Sequence, residues 1–183
     1  MRALGARGRG FKSRLPDMKI GKKHIKSFII ILTALFISYY YPVNLKSPEN
    51  KLIVSRVIDG DTIELNTGER LRYIGIDTPE INYGKTPECF AYKAKEFNKM
   101  LVGKKEIKIE KDVSEKDKFG RLLRYVYVKD ESTTSAIFVN EYLVKQGYAV
   151  VSTYPPDIKY IEDLLLAQQE ARENNRGFWK ECD

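Results

Sequence analysis

The sequence predicts an α+β fold in which five short strands close into a small barrel and three helices pack outside it. Three observations carry that expectation. Three strand-like runs follow one another through tight turns from Lys51 to Ile76. One amphipathic helical repeat then precedes two further strands, and helical patterns dominate the remainder of the chain. That order describes a meander with one helix inserted after the third strand and two helices at the end.

The first two strands, Lys51–Ile58 and Thr62–Asn66, are separated by Asp59-Gly60-Asp61; Ile63 and Leu65 alternate with polar neighbours, as in a half-buried strand. Asn66-Thr67-Gly68-Glu69 reads as a turn, and Arg70–Ile76 as the third strand. Cys89–Leu101 reads as a helix with Phe90, Ala94, Phe97 and Leu101 on one face and Gly103 past its end. Glu106–Glu110 and Leu122–Val128 supply the last two strands, joined by the charged loop Ser114–Arg121. Thr134 or Ser135 is expected to cap a helix running to Gln146, with Gly147 beyond it. Pro155-Pro156-Asp157 opens a last helix to Glu173, and Trp179 is expected on the core. A small closed barrel of the OB kind fits this count.

The domain, residues 51–183, is preceded by a basic leader (1–26), an apolar segment (27–45) and a linker (46–50). Ser27–Tyr41 reads SFIIILTALFISYYY and follows Lys22-Lys23-His24-Ile25-Lys26. A cationic stretch before a short apolar one is the grammar of an export signal, or of an anchor at the lower limit of a membrane span. Either reading leaves residues 1–26 in the cytoplasm and the domain outside it. Met18 begins a segment that would serve by itself as a signal start.

Net charge is +7, which suggests a nucleic-acid binder until its placement is read. Residues 1–26 hold nine Lys/Arg against Asp17 alone, and the remainder is close to neutral, about −1. Any grip on phosphate in the domain must use a few placed cations. The only histidine, His24, lies in the leader. The domain is thereby excluded from Ser-His-Asp chemistry, His-ligated zinc and His general bases. Cys89 and Cys182 have no zinc spacing; they either pair outside the reducing cytosol or stay two separate thiols.

The chemistry concentrates in Arg72 through Glu80. Asp61 begins the second strand and Asp77 ends the third, so an antiparallel pairing brings the two carboxylates to one end. Such a pair, without His or Cys, suits a hard cation such as Ca²⁺ or Mg²⁺, with Thr78 adding a carbonyl or hydroxyl oxygen. Glu80, on a turn stiffened by Pro79, is a candidate general base for a metal-bound water. Arg72 and Arg121 are candidate clamps for a phosphoryl transition state. Strand alternation alone points Arg72 away from Asp77, unless twist or an irregularity at Gly75 turns it back. Gly120, before Arg121, would let that loop approach a ligand closely.

These motifs, in this order, resemble the staphylococcal nuclease family. The resemblance covers about residues 51–180 and rests on Val57-Ile58-Asp59-Gly60-Asp61-Thr62, Arg72 with Asp77-Thr78-Pro79-Glu80, Asp117-Lys118-Phe119-Gly120-Arg121, Val139-Asn140-Glu141 and Gly177-Phe178-Trp179. It implies an OB-fold barrel with three helices and a Ca²⁺-dependent monomeric nuclease cutting DNA and RNA to 3′-phosphates. It also implies Asp61, Asp77 and the Thr78 carbonyl as metal ligands, Glu80 as the residue that activates water, and Arg72 and Arg121 on the phosphate. Lys118 matches a contact to a terminal phosphate. Phe119 replaces the usual Tyr, and Tyr154 stands for one of a pair of nucleotide-flanking tyrosines. Exported members with a similar cysteine pair favour a disulfide here. The alternative is a catalytically weak nucleic-acid- or protein-binding module tethered to a membrane through residues 27–45. It is opposed by the presence of Asp61, Arg72, Asp77, Glu80 and Arg121 together.

Overall fold

The computed structural model describes residues 22–40, 51–81, 84, 86–130 and 135–182. Contacts divide the chain into two units, Met1–Glu49 and Asn50–Asp183. In the first, helix α1 (Lys22–Tyr40) has exposed apolar side chains, among them Ile30, Leu35 and Phe36. No helix among the described residues is long and apolar enough to cross a membrane. Helix α1 takes in residues 27–40 of the segment expected as a signal peptide or anchor, 27–45, with Lys22, Lys23, His24 and Lys26 at its start. Residues 41–45 lie outside the described residues.

The second unit is the barrel. Strands β1 (Leu52–Val57), β2 (Thr62–Leu65) and β3 (Arg70–Tyr73) form the antiparallel meander, with Val57 opposite Ile63 and Thr62 opposite Arg72. A register shift in β1 falls at Ser55, whose hydroxyl donates to the carbonyls of Glu64 and Leu65 at 2.9 and 3.1 Å. Strands β5 (Glu106–Glu110) and β6 (Leu122–Lys129) pair antiparallel, and β5 also pairs with β1. Closure comes from the parallel pairing of β3 with β6, Leu71 opposite Leu122. The five expected strands thus make one closed barrel, around Val54, Ile63, Leu65, Leu71, Tyr73 and Val126. Each fully buried aliphatic side chain there contributes about 1.5–3 kcal/mol.

The third strand is not continuous to Ile76. It breaks at Ile74-Gly75, where Gly75 adopts φ +80, and resumes as the two-residue β4 (Ile76–Asp77), paired with β8 (Val150–Val151). Three hydrogen bonds hold the break open. Ile74 N–H donates to the Arg124 carbonyl at 3.0 Å, Asn140 Nδ2 donates to the Ile74 carbonyl at 2.9 Å, and Ser152 N–H donates to the Gly75 carbonyl at 2.9 Å. A side chain at Gly75 would also strike Leu164 Cδ1 at 2.6 Å.

The helices depart from expectation mainly at their starts. Helix α2 runs Ala91–Val102, because Cys89 and Phe90 form a turn in which Phe90 has φ 73. Its fully buried face is Ala91, Ala94, Asn98 and Val102, with Phe97 and Leu101 at the core margin. The face is rotated because buried Asn98 accepts from Tyr73 Oη and donates to the Asp59 carbonyl. Ser135 does not cap a helix. Strand β7 (Ala136–Phe138) pairs with β6 first, and helix α3 follows at Val139–Lys145; Thr134 lies outside the described residues. The last long helix, α4 (Ile161–Glu173), starts after Asp157, whose carboxylate instead accepts from the N–H groups of Val113 and Ser114. Short α5 (Phe178–Glu181) carries Trp179 at the periphery, half-buried against Phe178 and Arg172, not in the core. Cys89 and Cys182 form a disulfide with Cα atoms 6.0 Å apart, tying the start of α2 to the C-terminal end across 93 residues. In the chain-entropy account a closure of that length is worth about 4–5 kcal/mol.

Asn140 is wholly buried and spends both ends of its amide on main chain, Oδ1 on Val126 N–H and Nδ2 on the Ile74 carbonyl. Asn140→Leu strands two buried backbone groups and is expected to cost about 3 kcal/mol. Urea unfolding of the variant measures it.

Candidate active site

The break at Gly75 decides the site. It resets strand alternation, so that Asp77 returns to the side of the barrel that carries Arg72. The Arg72 guanidinium bridges the two carboxylates, Nη1 to Asp61 Oδ1 at 2.7 Å and Nη2 to Asp77 Oδ1 at 2.5 Å. The difficulty posed by simple alternation is thereby resolved by an interruption of the strand, not by its twist.

Asp61 is 1% exposed. Its Oδ1 also accepts from the Thr62 hydroxyl at 3.0 Å and its Oδ2 from Thr78 N–H at 3.2 Å. Burial pushes its carboxyl up, to about 7, while the Arg72 charge acts against that rise. The loop holding it is compact. Asp61 N–H donates to Asp59 Oδ1, and Gly60 lies so close to Thr78 that a Cβ there would meet Thr78 Oγ1 at 2.6 Å. Glu80 lies at the exposed rim; its carboxylate accepts no hydrogen bond among the described residues. Partial burial and the neighbouring Asp59 and Asp77 charges hold it above the usual carboxylate range. Its backbone is clamped by Glu88, which accepts from Glu80 N–H through its carboxylate at 2.9 Å and donates its own N–H to the Glu80 carbonyl at 3.1 Å.

Arg121 enters from the end of the loop before β6. It stands two residues before Leu123, the register partner of Arg72, and therefore on the same side of the sheet. Its Nε donates to Asp117 Oδ2 at 2.6 Å, and Asp117 Oδ1 accepts from the N–H groups of Phe119 and Arg121. Asp117 is thus the residue that aims Arg121, a role the sequence signals only by the i, i+4 spacing. Gly120 has φ +79 with open space around it, so glycine is required there by backbone conformation and not by close approach. Lys118 is exposed, its Nζ 5.1 Å from the Phe119 ring centre, and Phe119 itself is 70% exposed. Tyr154, 77% exposed, sits in a turn bridged to Asp157; no described contact joins it to the Arg72 cluster.

The residues present fit a hard divalent cation. Asp61 and Asp77 offer converging carboxylates that already demand positive charge, and Thr78 supplies the adjoining backbone. No cluster of three or more His, Cys, Asp and Glu side chains is present among the described residues, so water and substrate oxygens would complete a shell of six to eight.

A five-stranded barrel of the OB kind, with paired carboxylates and arginines at one end and no histidine, defines a class of hydrolytic or nucleic-acid-binding domains. Residues 70–181 match the staphylococcal nuclease homologue family. The chain is 33% identical over 172 residues to a thermonuclease of Staphylococcus intermedius, covering 87% of this chain and 99% of that one. It is 37% identical over 130 residues to a thermonuclease of Staphylococcus hyicus (69% and 73% covered) and 37% identical over 134 residues to the endonuclease YncB of Bacillus subtilis (69% and 60%). The chain belongs to the staphylococcal nuclease family.

Gly60→Ala forces a methyl group into Thr78 and displaces the Asp61 loop. It is expected to cost about 1–3 kcal/mol, read as a fall in the urea midpoint.

Proposed function

We propose that the protein is an exported, calcium-dependent nuclease that hydrolyses phosphodiester bonds of DNA and RNA to 3′-phosphate products. The observation that carries this reading is the Arg72 bridge between Asp61 and Asp77, with the Glu80 carboxylate unbonded at the rim beside them. Its relatives among thermonucleases and endonucleases support it.

Asp61, Asp77 and the Thr78 carbonyl would hold the calcium ion, which supplies Lewis-acid polarisation and a lowered water pKa when bound. Glu80 takes the proton from the attacking water. The water oxygen bonds to phosphorus as the P–O5′ bond breaks with its electron pair on O5′; O5′ takes a proton from solvent water and Glu80 returns its own to solvent, so that the products are a 3′-phosphate and a 5′-hydroxyl. Arg72, released from one carboxylate as substrate enters, binds the scissile phosphate. Arg121, aimed by Asp117, neutralises charge on the same group in the transition state. Lys118 and Tyr154 bind flanking parts of the nucleotide. Each step uses a group on or beside β3, β4 and the loop before β6, so the fold needs no general basicity.

Export is supported by the order of the leader, cations before an apolar helix, and by the Cys89–Cys182 disulfide, which suits an oxidising compartment.

Incubated with plasmid DNA, the protein is expected to degrade it with Ca²⁺ and not with EDTA. Glu80→Gln is expected to lower kcat by about 10³-fold or more and Arg121→Gly by about 10²–10³-fold. Calcium-independent degradation, or variants as active as the parent, would count against the mechanism. Nucleic-acid binding without any cleavage would favour a binding module. Separately, the natural protein is expected in the membrane or supernatant fraction, and N-terminal sequencing separates an anchored chain that keeps the apolar segment from a cleaved one that starts downstream of it. Recovery from the cytosol alone with an intact leader would count against export.

A further inference from the structure

The outer wall of the barrel carries a row of charged residues that the proposed mechanism does not use. Arg56 on β1 is the neighbour of Glu64 on β2, and Glu64 is the neighbour of Arg70 on β3. One residue before the Leu71–Leu122 pair on each strand stand Arg70 and Arg121. Each member of the row adjoins a buried residue (Val57, Ile63, Leu71, Leu122), so alternation points all four outward. Four strands at about 4.8 Å spacing make the row roughly 14 Å long. A duplex strand presents a phosphate every ~3.4 Å of axis, so a row of that length faces several.

The row ends in two concavities. At the Arg121 end, Gly68, Arg70, Phe119 and Arg121 line one of about 590 Å³. At the other, Arg56, Lys95, Lys99 and Lys104 line one of about 630 Å³, between β1 and the last turns of α2. Only Ile58 separates Val57, in that lining, from the Asp59–Asp61 loop. The cations are opposed by Glu64, held by Arg56 at 2.8 Å, Glu96, held by Lys99 at 3.1 Å, Glu69 and Asp117. A cationic surplus on one wall of a domain that is otherwise near neutral is a placed feature. Arg70 is exposed and its side chain donates no hydrogen bond among the described residues, so its guanidinium is available to a ligand. The 70% exposed Phe119 ring at the end nearest Arg121 offers a stacking face to a base.

We propose that Lys95, Lys99, Lys104, Arg56 and Arg70 form a track that binds the phosphodiester backbone of a nucleic-acid strand beyond the cleaved phosphate, leading it to Arg121. The identity of the ligand rests on the nuclease reading. The track makes the protein's affinity depend on substrate length and strongly on salt.

The test uses the full chain and a fluorescently labelled single strand in EDTA, with affinity measured across a salt series. The triple variant Arg70→Gln/Lys95→Gln/Lys99→Gln is expected to bind about 10–10²-fold more weakly. The slope of log affinity against log salt is expected to flatten by about 2, since each lost phosphate contact on a single strand removes about 0.7. With Ca²⁺, the ratio of kcat/KM on a long strand to kcat/KM on a trinucleotide is expected to fall by a similar factor. Lys99→Glu alone, at an exposed position, moves all three readouts the same way. Unchanged affinity and slope in a variant that melts like the parent overturns the track. So does unchanged nucleic-acid affinity with lost binding to anionic lipid vesicles, which would assign the wall to a membrane surface. A parent protein that binds the strand through the track but cuts nothing with Ca²⁺ would sink the nuclease reading and leave the track standing.

Discussion

Two ionised carboxylates that converge at the end of a small barrel repel unless a cation stands between them, and Arg72 is that cation. Asp61 is almost wholly buried, where its charge is costly and its proton affinity rises. One planar guanidinium answers both acids with separate N–H groups, a geometry that a lysine ammonium could not reproduce. The same demand for positive charge that Arg72 meets is the demand a hard divalent cation would meet. Arg72 thus satisfies the pair within the protein itself, and a hard divalent cation at the same place would answer the same two acids.

The rest of the fold fixes the three backbones from which that bridge is made. Asp61 is fixed by the turn at Gly60, which lies on Thr78 as only a residue without a side chain can. Arg72 is fixed by the β2–β3 register. Asp77 is fixed by the break at Ile74-Gly75, and that break is held from β6, α3 and the segment after β8. Elements distant in sequence thus converge on the main chain of two residues, Ile74 and Gly75. Buried Asn140 is the clearest case: its amide reads Val126 on one strand and Ile74 at the break, and no apolar side chain can do both.

Most of the barrel was legible because period-two alternation and turn residues are local signals. Ile63, Leu65, Ile107 and Ile109 sit where alternation puts them, facing the barrel interior or its margin. The meeting of Asp61 with Asp77 was legible because an antiparallel meander brings the start of one strand beside the end of the next. What was not legible is long-range. An irregularity at Gly75 could be named from the sequence as one way to turn Arg72 back, but nothing near it announces that Arg124, Asn140 and Ser152 will hold a break there, so the third strand reads as continuous to Ile76. Ile137 and Phe138 have the composition of a strand, yet a nearby helical run absorbs them until β6 is available to pair with. Asn98 shifts the buried face of α2 because Tyr73 and Asp59 need its amide, which periodicity cannot know.

The charge distribution follows the same logic. A uniformly basic domain would bind nucleic acid everywhere and position it nowhere, since phosphate contacts carry affinity but register must come from geometry. Here the domain is close to neutral, and guanidiniums are held individually: Arg72 by two acids, Arg121 by Asp117, Arg56 by Glu64. A guanidinium has five donors, and one acid oxygen takes only one of them. The carboxylates therefore do not cancel the cations so much as aim them. On the proposed reading, that is how a near-neutral domain without a histidine directs a few cations at a phosphodiester from fixed positions.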